Sequence, residues 1–176
     1  MRVRDGETAG GHSDCSRDYA MSNSSDFPCV EVSIVLLERD GMILAEYNPK
    51  WETFSLPMSR LRRRLAPGTP VRETPLEAAI RAASKALGRP LAADRLPQAV
   101  DLDVPAQVLL RSGSDQQTKR YTYHVFALRV SLLAPRHAHG RHTLWMRRED
   151  FLTHRPVSAT AVHLMRHLRD TPLFTI

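Results

Sequence analysis

Residues 73–88, ETPLEAAIRAASKALG, constrain the fold more than any other stretch, because they carry start and stop signals for a helix around one apolar stripe. Thr74 is a helix-capping residue, and Pro75 suits the first turn. Gly88 is placed to end the helix, with Pro90 beyond it. Leu76, Ala79, Ile80, Ala83 and Leu87 recur at helical spacing, which predicts one apolar face running to Leu87.

Strand signals surround this helix. Residues 29–37, CVEVSIVLL, are β-branched and apolar, as a buried strand requires. The Asp40-Gly41 pair favours a hairpin turn, so residues 42–47 return as a second strand. Residues 51–57, WETFSLP, read as a loop with large aromatics, and residues 58–72, MSRLRRRLAPGTPVR, as a basic loop. Two further strands are expected over 99–111 and 119–133, joined by the turn SGSDQQT. Residues 134–142 read as a loop, Thr143–Met146 as a short strand and 148–153 as a helical turn. A final amphipathic helix is expected over 158–169, capped by Ser158. Together these elements predict an α+β layered sandwich, a mixed sheet flanked by helices.

At 176 residues with 42% hydrophobic content, the chain is long enough for one domain with a proper core. Residues 1–27 have almost no large apolar groups and are expected to be a disordered tail, with the folded domain over 28–176. Met21, just before the first apolar run, is a candidate start of translation. The formal charge of +6 favours anionic partners without choosing among them. Two cysteines, Cys15 and Cys29, make neither a disulfide framework nor a four-ligand zinc site, and a cytoplasmic location fits best. No apolar run approaches the roughly 18 residues of a membrane span, and the N-terminus lacks the apolar stretch of a signal peptide.

Glu73, Arg81 and Gly88 stand in the frame of the Nudix box, G-x5-E-x7-R-E-U-x-E-E-x-G-U with U a bulky aliphatic residue. Trp51 with Leu56–Pro57 resembles the W-x-L-P-G-G approach at wider spacing. Ala78–Ala79 before Arg81 resembles the A-A-x-R run, and Lys119–Tyr121 into Tyr123–Phe126 resembles a later core strand. From about residue 29 to 170 the chain thus resembles the Nudix hydrolase superfamily. The resemblance implies an α/β/α sandwich with a mixed sheet, and hydrolysis of nucleoside-diphosphate-linked compounds with Mg2+ or Mn2+. It also implies that Glu73 and Arg81 form a structural ion pair.

The departures fall on the chemistry. The box's metal-binding glutamates belong at 82, 85 and 86, and this chain has Ala82, Lys85 and Ala86. Alanine offers no side-chain oxygen, and Lys85 sets a cation against any divalent ion. Met58–Ser59 replace the paired glycines, and the loop from Pro57 to Glu73 is longer than the family's turn. The expectation is a protein without the usual hydrolysis and without a metal cofactor. Were it active, Glu73 and Glu77 would be the first carboxylates to consider, with Asp94 next. Their plainer roles are a cap residue and two solvated side chains.

Candidate ligand-binding residues are the aromatics Trp51, Phe54, Tyr121 and Tyr123, which either stack on a base or pack the core. Arg60, Arg62, Arg63 and Arg64, with Thr69 and Arg72, either clamp phosphate in place of a metal or form a solvated, mobile loop. His137, His139 and His142 lack an adjacent acidic or cysteine partner for a metal site. His163 and His167 lack the glutamate of a metalloprotease helix, since Leu164 follows His163. The expected function is therefore binding of a nucleotide-like or phosphate-bearing ligand, or of a protein partner. The alternatives are an active hydrolase with relocated carboxylates and a scaffold or homodimerisation module. Nucleic acid ranks below these as a partner, and a membrane is not expected.

Overall fold

β1, Cys29–Arg39, is apolar on both faces, and such a strand belongs in the middle of a sheet covered on both sides. The computed structural model, which describes residues 27–66, 69–91, 95–100, 107–112, 115–130, 142–154, 156–168 and 173, places it there. Its antiparallel neighbour β2, Met42–Asn48, follows through Asp40 (φ 52°) and Gly41 (φ 77°). Two successive left-handed residues are what a tight right-twisted hairpin needs. On its other side β1 runs parallel to β9, Thr118–Arg129, from Cys29 opposite Arg120 to Glu38 opposite Arg129. Short strands complete the sheet. β3 (Thr53–Ser55) and β10 (Thr143–Met146) pair with β2, β4 (Met58–Arg60) with β1, and β7 (Gln98–Ala99) and β8 (Gln107–Arg111) with β9.

The alternation along β1 sorts the core into two layers. Val35 and Leu37 point to one face, with Leu44, Phe126 and Leu128, and meet α1, Pro75–Leu87, through Ala79, Ala82, Ala83, Ala86 and Leu87. Ser33 lies on this face too, fully buried, and its hydroxyl donates to the Pro75 carbonyl at 2.7 Å, which fixes the start of the helix. Val32, Ile34 and Leu36 point to the other face, with Tyr123, Val125 and Ala127. There they meet Phe151 of α2 (Asp150–Thr153) and Ala161, Leu164 and Met165 of α3 (Ala159–His167). The result is an α/β/α sandwich around a mixed sheet, as expected. Among the described residues no helix is long and apolar enough to cross a membrane.

The stretch 58–72, expected as a loop, holds three strands. β4 occupies the free side of β1, with Ser59 opposite Ser33. β5 (Arg63–Ala66) and β6 (Thr69–Arg72) pair only with each other, as a two-stranded ribbon. Its two segments, RRLA and TPVR, carry no alternating apolar pattern from which a strand could be read. The strand expected over 99–111 is two separate pieces, β7 and β8, and β9 ends at Arg129 rather than at 133. The N-terminal tail with Cys15 and Met21, and also Asp94, His137, His139 and the side chains of Arg64 and Thr69, lie outside the described residues.

Candidate functional site

Glu73 sits one residue before the helix cap, and its side chain is 1% exposed. Arg81, two turns into α1, reaches back to it. Arg81 Nε donates to Oε1 at 3.0 Å and Nη2 to Oε2 at 2.7 Å, a two-pronged guanidinium–carboxylate pair. The Arg62 backbone N–H also donates to Oε2 at 2.9 Å, and the Glu73 N–H to the Arg62 carbonyl at 2.8 Å. Arg81 has two more contacts: Nη1 donates to Ser59 Oγ at 2.9 Å and Nη2 to the Arg60 carbonyl at 2.9 Å. One guanidinium thus ties the helix to β4 and to the chain entering the ribbon. Gly88 closes the helix at φ 66°, in left-handed backbone.

Two of the three α1 positions set against the box's glutamates, 82 and 86, are buried. Ala82 is 2% exposed and Ala86 5%, both packed among Val35, Leu37, Leu44 and Phe126, while Lys85 points to solvent. Glu77 is engaged in the helix cap. Its Oε2 accepts from the Thr74 N–H at 2.7 Å and from the Thr74 hydroxyl at 2.9 Å, and its own N–H donates to Thr74 Oγ1 at 3.2 Å. Glu73 and Glu77, the first carboxylates considered for an active enzyme, therefore hold structural positions. Among the described residues no three His, Cys, Asp or Glu side chains gather as metal ligands do. These residues do not fit Mg2+ or Mn2+, which need several oxygen ligands converging on one point.

A cavity of about 550 Å³ opens on the opposite face of the sheet, where β1, β4, β8 and β9 meet the first turn of α3. Of the candidate ligand-binding residues, Trp51, Arg60, Tyr121 and Tyr123 line it. The two tyrosines alternate onto this face of β9 and stack, with ring centroids 6.1 Å apart and planes 19° from parallel. Burial raises the pKa of the Tyr123 phenol, so it stays neutral, and it lies 3.3 Å from Thr160 Oγ1. Trp51 is 45% exposed, an unusual setting for so large an apolar group. Phe54 instead packs edge-on against Tyr47 and His154. Arg62 does not line the cavity, and its backbone serves Glu73.

The remaining wall came without warning from the sequence. Arg111 and Ser112 arrive at the end of β8, held by the turn into β9. Arg111 Nε donates to the Gln116 carbonyl at 3.1 Å, and the Ser112 N–H to the Gln117 carbonyl at 2.8 Å. Asp115 anchors this turn. Hydrogen bonds from Lys119 and then Ser112 pull its pKa down to about 2. Ser158, Ala159 and Thr160 bring the amino end of α3 to the cavity, which favours an anion together with Arg60 and Arg111. Thr53 Oγ1 is buried at the same wall with no hydrogen-bond partner among the described residues. An orphaned buried hydroxyl is costly unless a ligand or water meets it. No carboxylate lines the cavity among the described residues.

The histidines lie elsewhere. His142 is exposed and edge-on to Tyr47, and His163 and His167 meet edge to face on α3 with centroids 4.6 Å apart.

No family model and no curated protein sequence matches the chain. Solved structures match it in fold. The chain is similar to the solution structure of the E. coli ORF135 protein, with 17% identity and a TM-score of 0.54 over 85% of this chain and 96% of that one. It is similar to a MutT Nudix hydrolase from Burkholderia pseudomallei, with 16% identity and a TM-score of 0.55 over 80% of this chain and 98% of that one. A MutT protein from Methanosarcina mazei Go1 gives 16% identity and a TM-score of 0.55 over 84% and 100%. At such identities the likeness is one of architecture, and this architecture is the Nudix fold.

Proposed function

We propose that this Nudix-fold chain binds an anionic, ring-bearing ligand of the nucleotide class and does not hydrolyse it. The observation that carries the reading is a separation. The cavity holds aromatic and cationic groups, while the positions where hydrolytic carboxylates would stand are two alanines packed into the core and an exposed lysine. Tyr121, Tyr123 and Trp51 offer flat surfaces to a base or similar ring. Arg60, Arg111 and the amino end of α3 offer positive charge to phosphate. With these cations in place, the anion needs no divalent ion to be neutralised.

The experiment is calorimetric titration with ADP in EDTA, on the parent and on R60A/R111A. Binding in EDTA that weakens at least about tenfold in the double variant supports the reading, since loss of two charge-assisted contacts removes more than about 1.4 kcal/mol. Binding that is absent in EDTA and restored by Mg2+ contradicts it.

A further inference from the structure

We propose that the β5–β6 ribbon and the cavity form one track for single-stranded nucleic acid, with a base in the cavity and the phosphate backbone on the ribbon's arginines. The inference rests on the nucleotide reading of the cavity and extends the ligand beyond a single nucleotide.

Three observations support it. First, the backbone that carries the arginines is held in place. Arg60 lines the cavity at the end of β4, and β5 begins three residues later at Arg63. Between them the Leu61 N–H donates to the Glu31 carbonyl at 3.1 Å, and the Arg62 N–H donates to the Glu73 carboxylate at 2.9 Å. Arg72, opposite Arg63 at the base of the ribbon, pairs with Glu31. The base of the ribbon is thus tied to β1 and to the Glu73–Arg81 pair, which sets the course of the backbone that carries Arg60, Arg62, Arg63 and Arg72.

Second, the charges lack counterions. Among the described residues no carboxylate pairs with Arg60, Arg62 or Arg63. Arg63 is moreover directly opposite Arg72 across the ribbon, and Arg72 already shares Glu31 with His124. Like charges directly opposite in an antiparallel pair destabilise it unless an anion lies between or beside them.

Third, the length is too great for one phosphate. At about 3.3 Å per extended residue, Arg60 to Arg63 spans roughly 10 Å. Arg62 and Arg63, both exposed, follow Arg60 along this stretch, so further cations come next in the chain after the one at the cavity. Aromatic surfaces at one end and a line of arginines leading away are the two parts of a single-strand site. A membrane surface would leave the stacked tyrosines of the cavity unused.

The test measures fluorescence anisotropy of a labelled adenosine decamer over a range of salt, with ADP, heparin and phosphatidylglycerol vesicles as competitors. The decamer is expected to bind about tenfold tighter than ADP or more, because it adds phosphate contacts. R62A/R63A is expected to remove that gain, to reduce the slope of log affinity against log salt by about 1.4, and to leave ADP affinity within about twofold. A decamer no tighter than ADP overturns the proposal while leaving the cavity reading intact. Heparin or vesicles competing as well as free decamer also overturn it, because the bases would then contribute nothing. If neither ADP nor decamer binds, both readings fail together.

Discussion

Arg81 Nη1 donates to Ser59 Oγ at 2.9 Å, so the helix that pairs with Glu73 also holds a wall of the cavity. Ser59 stands where the family frame places a glycine, which could accept no such bond. This ion pair therefore links α1, on one face of the sheet, to the cavity on the other. That link gives Glu73 and Arg81 a role that does not depend on hydrolysis.

Breaking the link should cost stability. Arg81→Ala leaves the Glu73 carboxylate buried without its cation and is expected to destabilise the fold by about 3 kcal/mol, at the low end for a buried pair because Arg81 is partly exposed. Ser59→Ala removes one hydrogen bond and should cost about 1 kcal/mol. Urea unfolding measures both. A change below about 0.5 kcal/mol for Arg81→Ala would contradict the structural role.

Glutamate at the box positions should not rebuild a metal site. Ala82→Glu and Ala86→Glu place a charge at core positions and are expected to lose several kcal/mol each. Lys85→Glu lies on the surface in the last turn and should cost under about 1 kcal/mol. Thermal melts of the three single variants, with and without Mg2+, test this. Folded Ala82→Glu/Ala86→Glu protein stabilised by Mg2+ would show that the face is open after all.

Much of this architecture was legible because burial on both faces leaves a continuous apolar run, as in β1, and because Thr74, Pro75 and Gly88 bracket α1. The Glu73–Arg81 pair was legible only through the resemblance to the Nudix box, which implies it. The ribbon was not, since arginines at 62–64 mask a strand whose pairing is with β6 rather than with the main sheet. Arg111, Ser112 and Thr53 were not legible either. They reach the cavity through the pairing of β8 with β9 and β3 with β2, contacts that local sequence does not encode. The alanines at 82 and 86 read only as absent ligands, whereas they also complete a packed core layer.

Acid should loosen the ribbon's anchor. Burial alone would raise the Glu31 pKa, but Arg72 and then His124 outweigh it, and the carboxyl titrates below the ordinary glutamate range. A carboxylate with a depressed folded-state pKa stabilises above its unfolded value of about 4.3 and loses that contribution as pH falls through the folded value. Glu31→Gln should therefore be less stable than the parent at pH 7, with the difference shrinking below about pH 4. Urea midpoints across pH 3–7 check the sign, and a difference that grows with acid would contradict it.

Thr53→Val offers opposite effects on stability and binding. Replacing the orphaned hydroxyl by a methyl of similar size should stabilise the free protein by up to about 1 kcal/mol. If that hydroxyl meets the ligand, ADP affinity should fall about threefold to tenfold in the same variant. Unchanged affinity would remove Thr53 from the binding wall.

The most direct measurement of the central claim is a pair of readings on one sample of the protein with ADP-ribose, in EDTA and in excess Mg2+ or Mn2+. Calorimetry follows binding, and chromatography follows AMP and ribose phosphate. The account predicts equal affinity in EDTA and in metal, with no product under either condition. Metal-dependent appearance of AMP would contradict it and would mean that carboxylates other than those of the box carry out hydrolysis.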